Sequence, residues 1–302
     1  MMVTTQYVCK QFLRHKGLQG LKGSSISTYS NKINAYFIPY LPNLFLRITE
    51  KKIYKLVECL TGKLDRKTII DIIRLLNAIL KFAKEKKYIR RVIKIPCPSI
   101  RKKEITVLTE LEQKTLESYL LNHLNHFNFG VLLVLYTGLR IGELSALQFN
   151  DIQNKVLKIE RTLQRIKNPS EFASNKTIIV IDVPKGGSMR KIPLNPFILD
   201  IYSKIEKTKL DNYILTGNEN FIEPRNIERK FENILNKCNI GHKEFHALRH
   251  SFATNCVKAG FELKTLSEIL GHSNTSITLE YYIHSDFDFK IMNMKKLKPK
   301  VS

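Results

Sequence analysis

The chain has 302 residues, 43% of them hydrophobic, which is length and apolar content for two domains with ordinary buried cores. No run approaches eighteen apolar residues, MMVTTQYVCKQFLRHK lacks the apolar stretch of a signal peptide, and the dispersed Cys9, Cys59, Cys97, Cys238 and Cys256 include no CxxC pair; a membrane span, a disulfide framework and a structural zinc are excluded, and a reduced cytoplasmic setting is expected. Fifty Lys and Arg against 27 Asp and Glu leave a net +23, and with no basic helix carrying bulky aromatics for a bilayer, nucleic acid is the expected polyanion.

The first 103 residues hold 23 basic and 5 acidic side chains, a net +18, and read as helical. SSISTYSNKINAYFIPYL begins with serines suited to a cap and keeps helical spacing until Pro39, with about twenty residues ahead of it. DRKTIIDIIRLLNAILKFAKEKKYI is a longer helix capped by Asp65. Its stripe of Ile69, Ile70, Ile73, Leu76, Ile79, Leu80 and Phe82 faces a core, and Arg74, Lys81, Lys84, Lys86 and Lys87 lie opposite. IKIPCPSIRKKEIT is an extended basic linker.

From Val107 a new helical pattern starts, with Thr109 and Glu112 spaced as a capping box. FNFGVLLVLYTGLRIGELSAL reads as a buried helix, a turn at Gly138 and the start of a second helix. KVLKIERTL, TIIVIDVPK and SMRKIPLN read as strands, the last two turned into a hairpin by Gly186 and Gly187. NIERKFENILNKCNI, HALRHSFATNCVKAG and LKTLSEILGH return to helix. The expected fold is mainly α with a small antiparallel β-sheet: a helical domain over 1–100, a basic linker over 101–106 and a mixed α+β domain over 107–302.

In HALRHSFAT, His246, Arg249 and His250 share a helix face. His242, His246 and His250 recur at four, but without HExxH and with a guanidinium among them they argue against a metal. TGLRIGEL places Arg140 at the head of a helix, VPKGGSMRKIPL places Lys185 at a hairpin tip, and LGHSNTSITLEYYIH supplies His272 and two tyrosines. Two guanidiniums, an ammonium, two imidazoles and a phenol suit attack of a tyrosine oxygen on a phosphodiester. The arginines offset the charge of the pentavalent transition state, an imidazole takes the phenol proton, and lysine protonates the leaving sugar oxygen. Tyr281 and Tyr282 point about 100° apart on a helix, so one faces the cleft. Tyr282 is favoured as the nucleophile and Tyr281 is the alternative.

At these boxes the sequence resembles the tyrosine recombinase/integrase family, which takes in phage and transposon integrases and the Xer resolvases. TGLRIGEL is similar to its first arginine box, HALRHSFAT to its HxLRH box, KGGSMRKIPL to its lysine hairpin and LGHS with YxH to its last histidine and nucleophile. The resemblance implies catalytic roles for Arg140, Lys185, His246, Arg249, His272 and Tyr282, with Glu143 at an acidic supporting position. It spans about 107–290 by motif; residues 1–103 resemble the family's core-binding domain in size, helicity and charge. The implied activity is cutting and rejoining of double-stranded DNA through a 3′-phosphotyrosyl intermediate, by a homo-tetramer on two DNA sites, without cofactor, metal or small-molecule substrate. A type IB topoisomerase and a catalytically silent DNA-binding regulator are the rival readings. The short stretch ahead of the first expected helix speaks against an arm-binding domain, and DFDFKIMNMKKLKPKVS resembles the family's tails that dock on a neighbouring subunit.

Overall fold

The structure, a computed structural model, describes residues 3–93, 95, 106–168, 177–184, 189–207, 209–272, 274–276, 278, 279 and 294. The chain forms two compact units, Met1–Lys103 with Arg165–Ile178, and Glu104–Gln164 with Ile179–Ser302. Each has its own apolar core.

The first unit opens with α1 (Thr5–Leu18), within the twenty or so residues that precede the first helix expected from the sequence. The Thr4 hydroxyl accepts the Tyr7 N–H and starts the helix. Its apolar side is narrow, with Val8, Cys9 and Phe12 buried, and it gains its place by tertiary contact: Phe12 meets Phe82 edge to face, centroids 5.7 Å apart. Next, α2 (Gly23–Lys32) has Lys22 at its cap and no side-chain capping bond, so the serines lie inside the first turn rather than ahead of it. It runs into a π-helical turn, Ile33–Phe37, that buries both end residues. After α3 (Glu50–Leu60) comes α4 (Arg66–Glu85), whose first turn is closed by Asp65 accepting from the Thr68 N–H at 2.9 Å. Besides the expected stripe, α4 buries Ile72, Leu75 and Ala83. Burial of each such Ile or Leu contributes roughly 1.5–3 kcal/mol, which makes α4 the spine of this unit. Arg74, Lys81, Lys84, Lys86 and Lys87 are all exposed.

The second unit starts with α5 (Glu110–Asn122), closed by the reciprocal Thr109–Glu112 box. Its centre is α6 (His126–Thr137), apolar on all sides and buried from Phe127 to Leu135. Gly138 ends it in the left-handed region at φ 66° and leads into α7 (Ile141–Ser145). Along the chain strands β1 (Ile152–Gln153), β2 (Val156–Ile159), β3 (Thr162–Lys167), β4 (Thr177–Asp182) and β5 (Arg190–Pro193) follow, the end of β3 and the start of β4 belonging to the first unit. They pair differently from expectation: β5 joins β1 and β2 in one antiparallel sheet, with Ile192 opposite Leu157, while β4 lies beside β3. Burial explains the choice. Ile192 is buried with Leu157 and Ile159, whereas β4 carries no fully buried residue and cannot extend the core sheet. Gly186 and Gly187 lie outside the described residues. The unit continues with α8 (Pro196–Lys204), α9 (Pro224–Lys237), α10 (His246–Lys258) and α11 (Leu263–Leu270). Among these, α10 packs across α6, and Gly271 in the left-handed region ends α11.

Candidate active site

The site forms where the C-terminal ends of α6 and α11 meet the start of α7 and one face of α10. Helix ends leave carbonyls without intrahelical donors and carry the negative end of the helix dipole, so they attract cations. Three consecutive carbonyls at the end of α11 each accept from a different arginine. Arg190 Nε donates to Ile269 at 2.6 Å, Arg249 to Leu270 at 2.8 Å and Arg140 to Gly271 at 2.8 Å. Arg249 also donates to the Gly138 carbonyl at the end of α6. This guanidinium is only 2% exposed and is the largest fully buried side chain in the described residues.

One carboxylate serves two of these arginines. Glu143, 1% exposed, accepts the Arg140 guanidinium and backbone N–H, each at 2.9 Å, and two donors of Arg190 at 3.0 and 2.8 Å. Burial alone would raise its carboxyl, but Arg190 and then Arg140 outweigh that and hold it below the ordinary range. Two of the three guanidiniums thus share the buried carboxylate, while Arg249 is held by carbonyls and His272.

His272 follows Gly271 directly. Its Nε2 lies 2.9 Å from Arg249, and because arginine can only donate, that nitrogen holds the lone pair. The proton is therefore on Nδ1, donated to the Thr278 hydroxyl at 2.7 Å. Burial first, then the charges of Arg249, Arg140 and Arg190, push the His272 pKa down to about 4. His246 opens α10, with its ring edge to face on His250, centroids 4.6 Å apart. Burial, His250, Arg249 and Arg140 lower it to about 4 as well, although it keeps an exposed edge. Both imidazoles are neutral at pH 7, and the lone pair of His272 is taken up by Arg249.

Arg140, His246, Arg249 and His272, 132 positions apart from first to last, are thus brought together in this unit. Lys185, Tyr281, Tyr282 and all of the C-terminal stretch but Met294 lie outside the described residues. Arg190 and Thr278 were not among the residues expected at the site. Arg190 left a signal, since it stands two residues before Ile192 and so on the buried face of β5, where a charge demands a partner. Thr278 left none. Of the three histidines spaced at four, His242 turns away and pairs with Glu232 at 2.8 Å, and no metal-holding group of three or more His, Cys, Asp or Glu occurs among the described residues.

The sequence model of the phage integrase family matches residues 99–288, a span that contains every one of these side chains. The chain belongs to the phage integrase family. Within these tyrosine recombinases and integrases it is similar to a XerC-like tyrosine recombinase of Caldanaerobacter subterraneus subsp. tengcongensis, 32% identical over 200 residues that cover 60% of this chain and 51% of the relative. A tyrosine recombinase of Thermosipho africanus is 26% identical over 287 residues, covering 88% of this chain and 93% of that one. The match therefore spans about half the length of the first relative. The fold of this integrase-family chain is that of the Tn1549 transposon integrase, solved in complex with a circular-intermediate DNA: TM-score 0.76 at 23% identity, over 98% of this chain and 100% of the other. No helix among its described residues is long and apolar enough to cross a membrane.

Proposed function

We propose that this chain is a site-specific tyrosine recombinase that cuts and rejoins double-stranded DNA in the cytoplasm, as a homo-tetramer on two DNA sites, with no cofactor, metal or small-molecule substrate. The observation that carries the reading is a convergence: the guanidiniums of Arg140 and Arg249 meet at the end of α11 beside the neutral imidazoles of His246 and His272. A phosphodiester anion is the ligand that two such guanidiniums hold with parallel donors.

In the proposed reaction Arg140 and Arg249 hold the non-bridging oxygens of the scissile phosphate and stabilise its pentavalent transition state. His246 accepts the phenol proton of Tyr282 as the tyrosine oxygen attacks phosphorus. The bond from phosphorus to the 5′-oxygen breaks, Lys185 protonates that oxygen, and the DNA remains as a 3′-phosphotyrosyl ester. His272, fixed between Arg249 and Thr278, lies against the same phosphate. Attack by a 5′-hydroxyl of the partner strand reverses each step and reseals the DNA. The names of the relatives, recombinase and integrase, favour strand exchange over supercoil relaxation or silent DNA binding.

The test uses nicked suicide duplexes tiled across the DNA that flanks the chain's own coding sequence. Wild type is expected to form a covalent protein–DNA adduct on denaturing gels, and Tyr282→Phe to form none. An adduct that persists in Tyr282→Phe and vanishes in Tyr281→Phe moves the nucleophile by one residue. Absence of any wild-type adduct overturns the recombinase reading. The mass of the complex on paired duplexes, four protomers or fewer, tests the tetramer.

A further inference from the structure

We propose that Arg190 is a positioning residue for strand transfer, resting on the recombinase reading above: it locks Glu143 and the end of α11 in the places that aim Arg140 and His272. Its own position comes from the sheet. Arg190 pairs with Ile159 in the antiparallel register of β2 and β5, so its Cα is set by strands that the core holds. From there the side chain, 7% exposed, reaches in two directions. Nε donates to the Ile269 carbonyl at 2.6 Å, and the two terminal nitrogens donate to the two Glu143 oxygens at 3.0 and 2.8 Å.

Those two carboxylate oxygens also receive Arg140, one from its guanidinium and one from its backbone N–H. Each oxygen thus carries one bond from Arg190 and one from Arg140. Glu143 cannot turn without breaking the Arg190 fork, and Arg140 cannot turn without breaking its bond to Glu143. At the other end, Ile269 is followed by Leu270, Gly271 and His272: the acceptor of Arg249, the acceptor of Arg140 and the imidazole itself. One guanidinium therefore ties a strand to the two elements that present Arg140 and His272.

The residue type fits that task. A planar fork can hold a carboxylate with two parallel donors while Nε serves a third acceptor; a lysine ammonium is a single point and cannot span the two partners. A hydrophobic side chain would avoid the desolvation cost of a buried ion, so the charge at this position answers a geometric need rather than a need of the core. Arg190 has three donors on protein partners and little exposed surface, which separates it from Arg140, the more open of the two arginines on Glu143.

The test compares Arg190→Met and Arg190→Lys with wild type in single-turnover adduct formation on whichever nicked duplex the wild type cleaves. DNA affinity by fluorescence anisotropy and thermal unfolding are measured in parallel. Displacing a reactive group by about an ångström costs on the order of a hundredfold, so Arg190→Met is expected to slow cleavage at saturating DNA by roughly 30- to 100-fold, with affinity within about threefold. Arg190→Lys is expected to recover less than about tenfold of that loss. In an Arg140→Ala background the Arg190→Met penalty should shrink, because one of the two groups being aimed has gone. Cleavage by Arg190→Met within threefold of wild type overturns the proposal, as does a loss confined to DNA affinity or penalties that simply multiply. Loss of the cooperative unfolding transition in both variants assigns Arg190 to the core and overturns it too. Failure of the wild type to form an adduct overturns the recombinase reading instead, a result that no Arg190 variant can mimic.

Discussion

His246 and His272 sit among cations, and that placement has a sign. Both have pKa values near 4 in the folded chain against an ordinary 6.5, with burial the largest cause for each. Between those values the unfolded chain binds protons that the folded chain refuses, so stability is full above about pH 6.5 and is lost as pH falls through 4. His250 is lowered as well, by burial and Arg249, and acts in the same direction. Solvent at the exposed edge of His246 screens part of its share. The urea midpoint of wild type is expected to drop from pH 7 to pH 4.5 by more than that of a His246→Asn, His272→Asn double variant. Parallel pH profiles for the two proteins would contradict the low values.

At the scale of elements, the site depends on where two helices stop. Gly138 ends α6 at φ 66°, and a Cβ there would lie 2.5 Å from Phe252 Cδ1 and 2.8 Å from Leu270 Cδ2. The left-handed conformation costs an alanine about 1–2 kcal/mol, and overpacking adds roughly 1–3. Gly138→Ala is therefore expected to lose at least about 2 kcal/mol in chemical denaturation. Because the Gly138 carbonyl holds Arg249 and Leu270 lies beside it, cleavage should fall along with stability. A variant as stable as wild type would show that α10 and α11 can retreat from the turn. The short α7 has a different logic: Glu143 caps it through the Arg140 N–H and at the same time seats two guanidiniums, so helix start and site are one structure.

Over the whole molecule, charge is divided unequally. Of the net +23, +18 belongs to the first 103 residues, where Arg74, Lys81, Lys84, Lys86 and Lys87 stand exposed along or just beyond α4. On the proposed reading this charge meets DNA phosphates and releases counterions. Contacts to about six to ten phosphates would weaken duplex binding on the order of a thousandfold or more between 50 and 200 mM salt. An anisotropy titration across that range checks it, and a change of less than tenfold would assign the charge to solubility instead.

Local signals were legible without coordinates. Asp65 and Thr109 cap helices because a short polar side chain satisfies an orphan N–H within three residues, and Gly138 marks a helix end because only glycine enters the left-handed region without a steric penalty. Arg140, His246, Arg249 and His272 stood out because their residue types and order suit one chemistry. The rest needed the fold. α1 lacks a broad apolar stripe and is held by Phe82, seventy residues after Phe12. The pairing of β5 with β2 rather than β4 follows from which strand can bury Ile192, a property of the assembled core. Arg190 and Thr278 acquire meaning only when α11 ends between them, because hydrogen bonds act over about 3 Å of space while the chain separates the partners by as many as 131 residues. Sequence by itself determined the starts of α4 and α5, the stop of α6 and the chemical types at the site; tertiary structure alone decided which carbonyls and which carboxylate hold them, since that depends on packing between segments far apart along the chain.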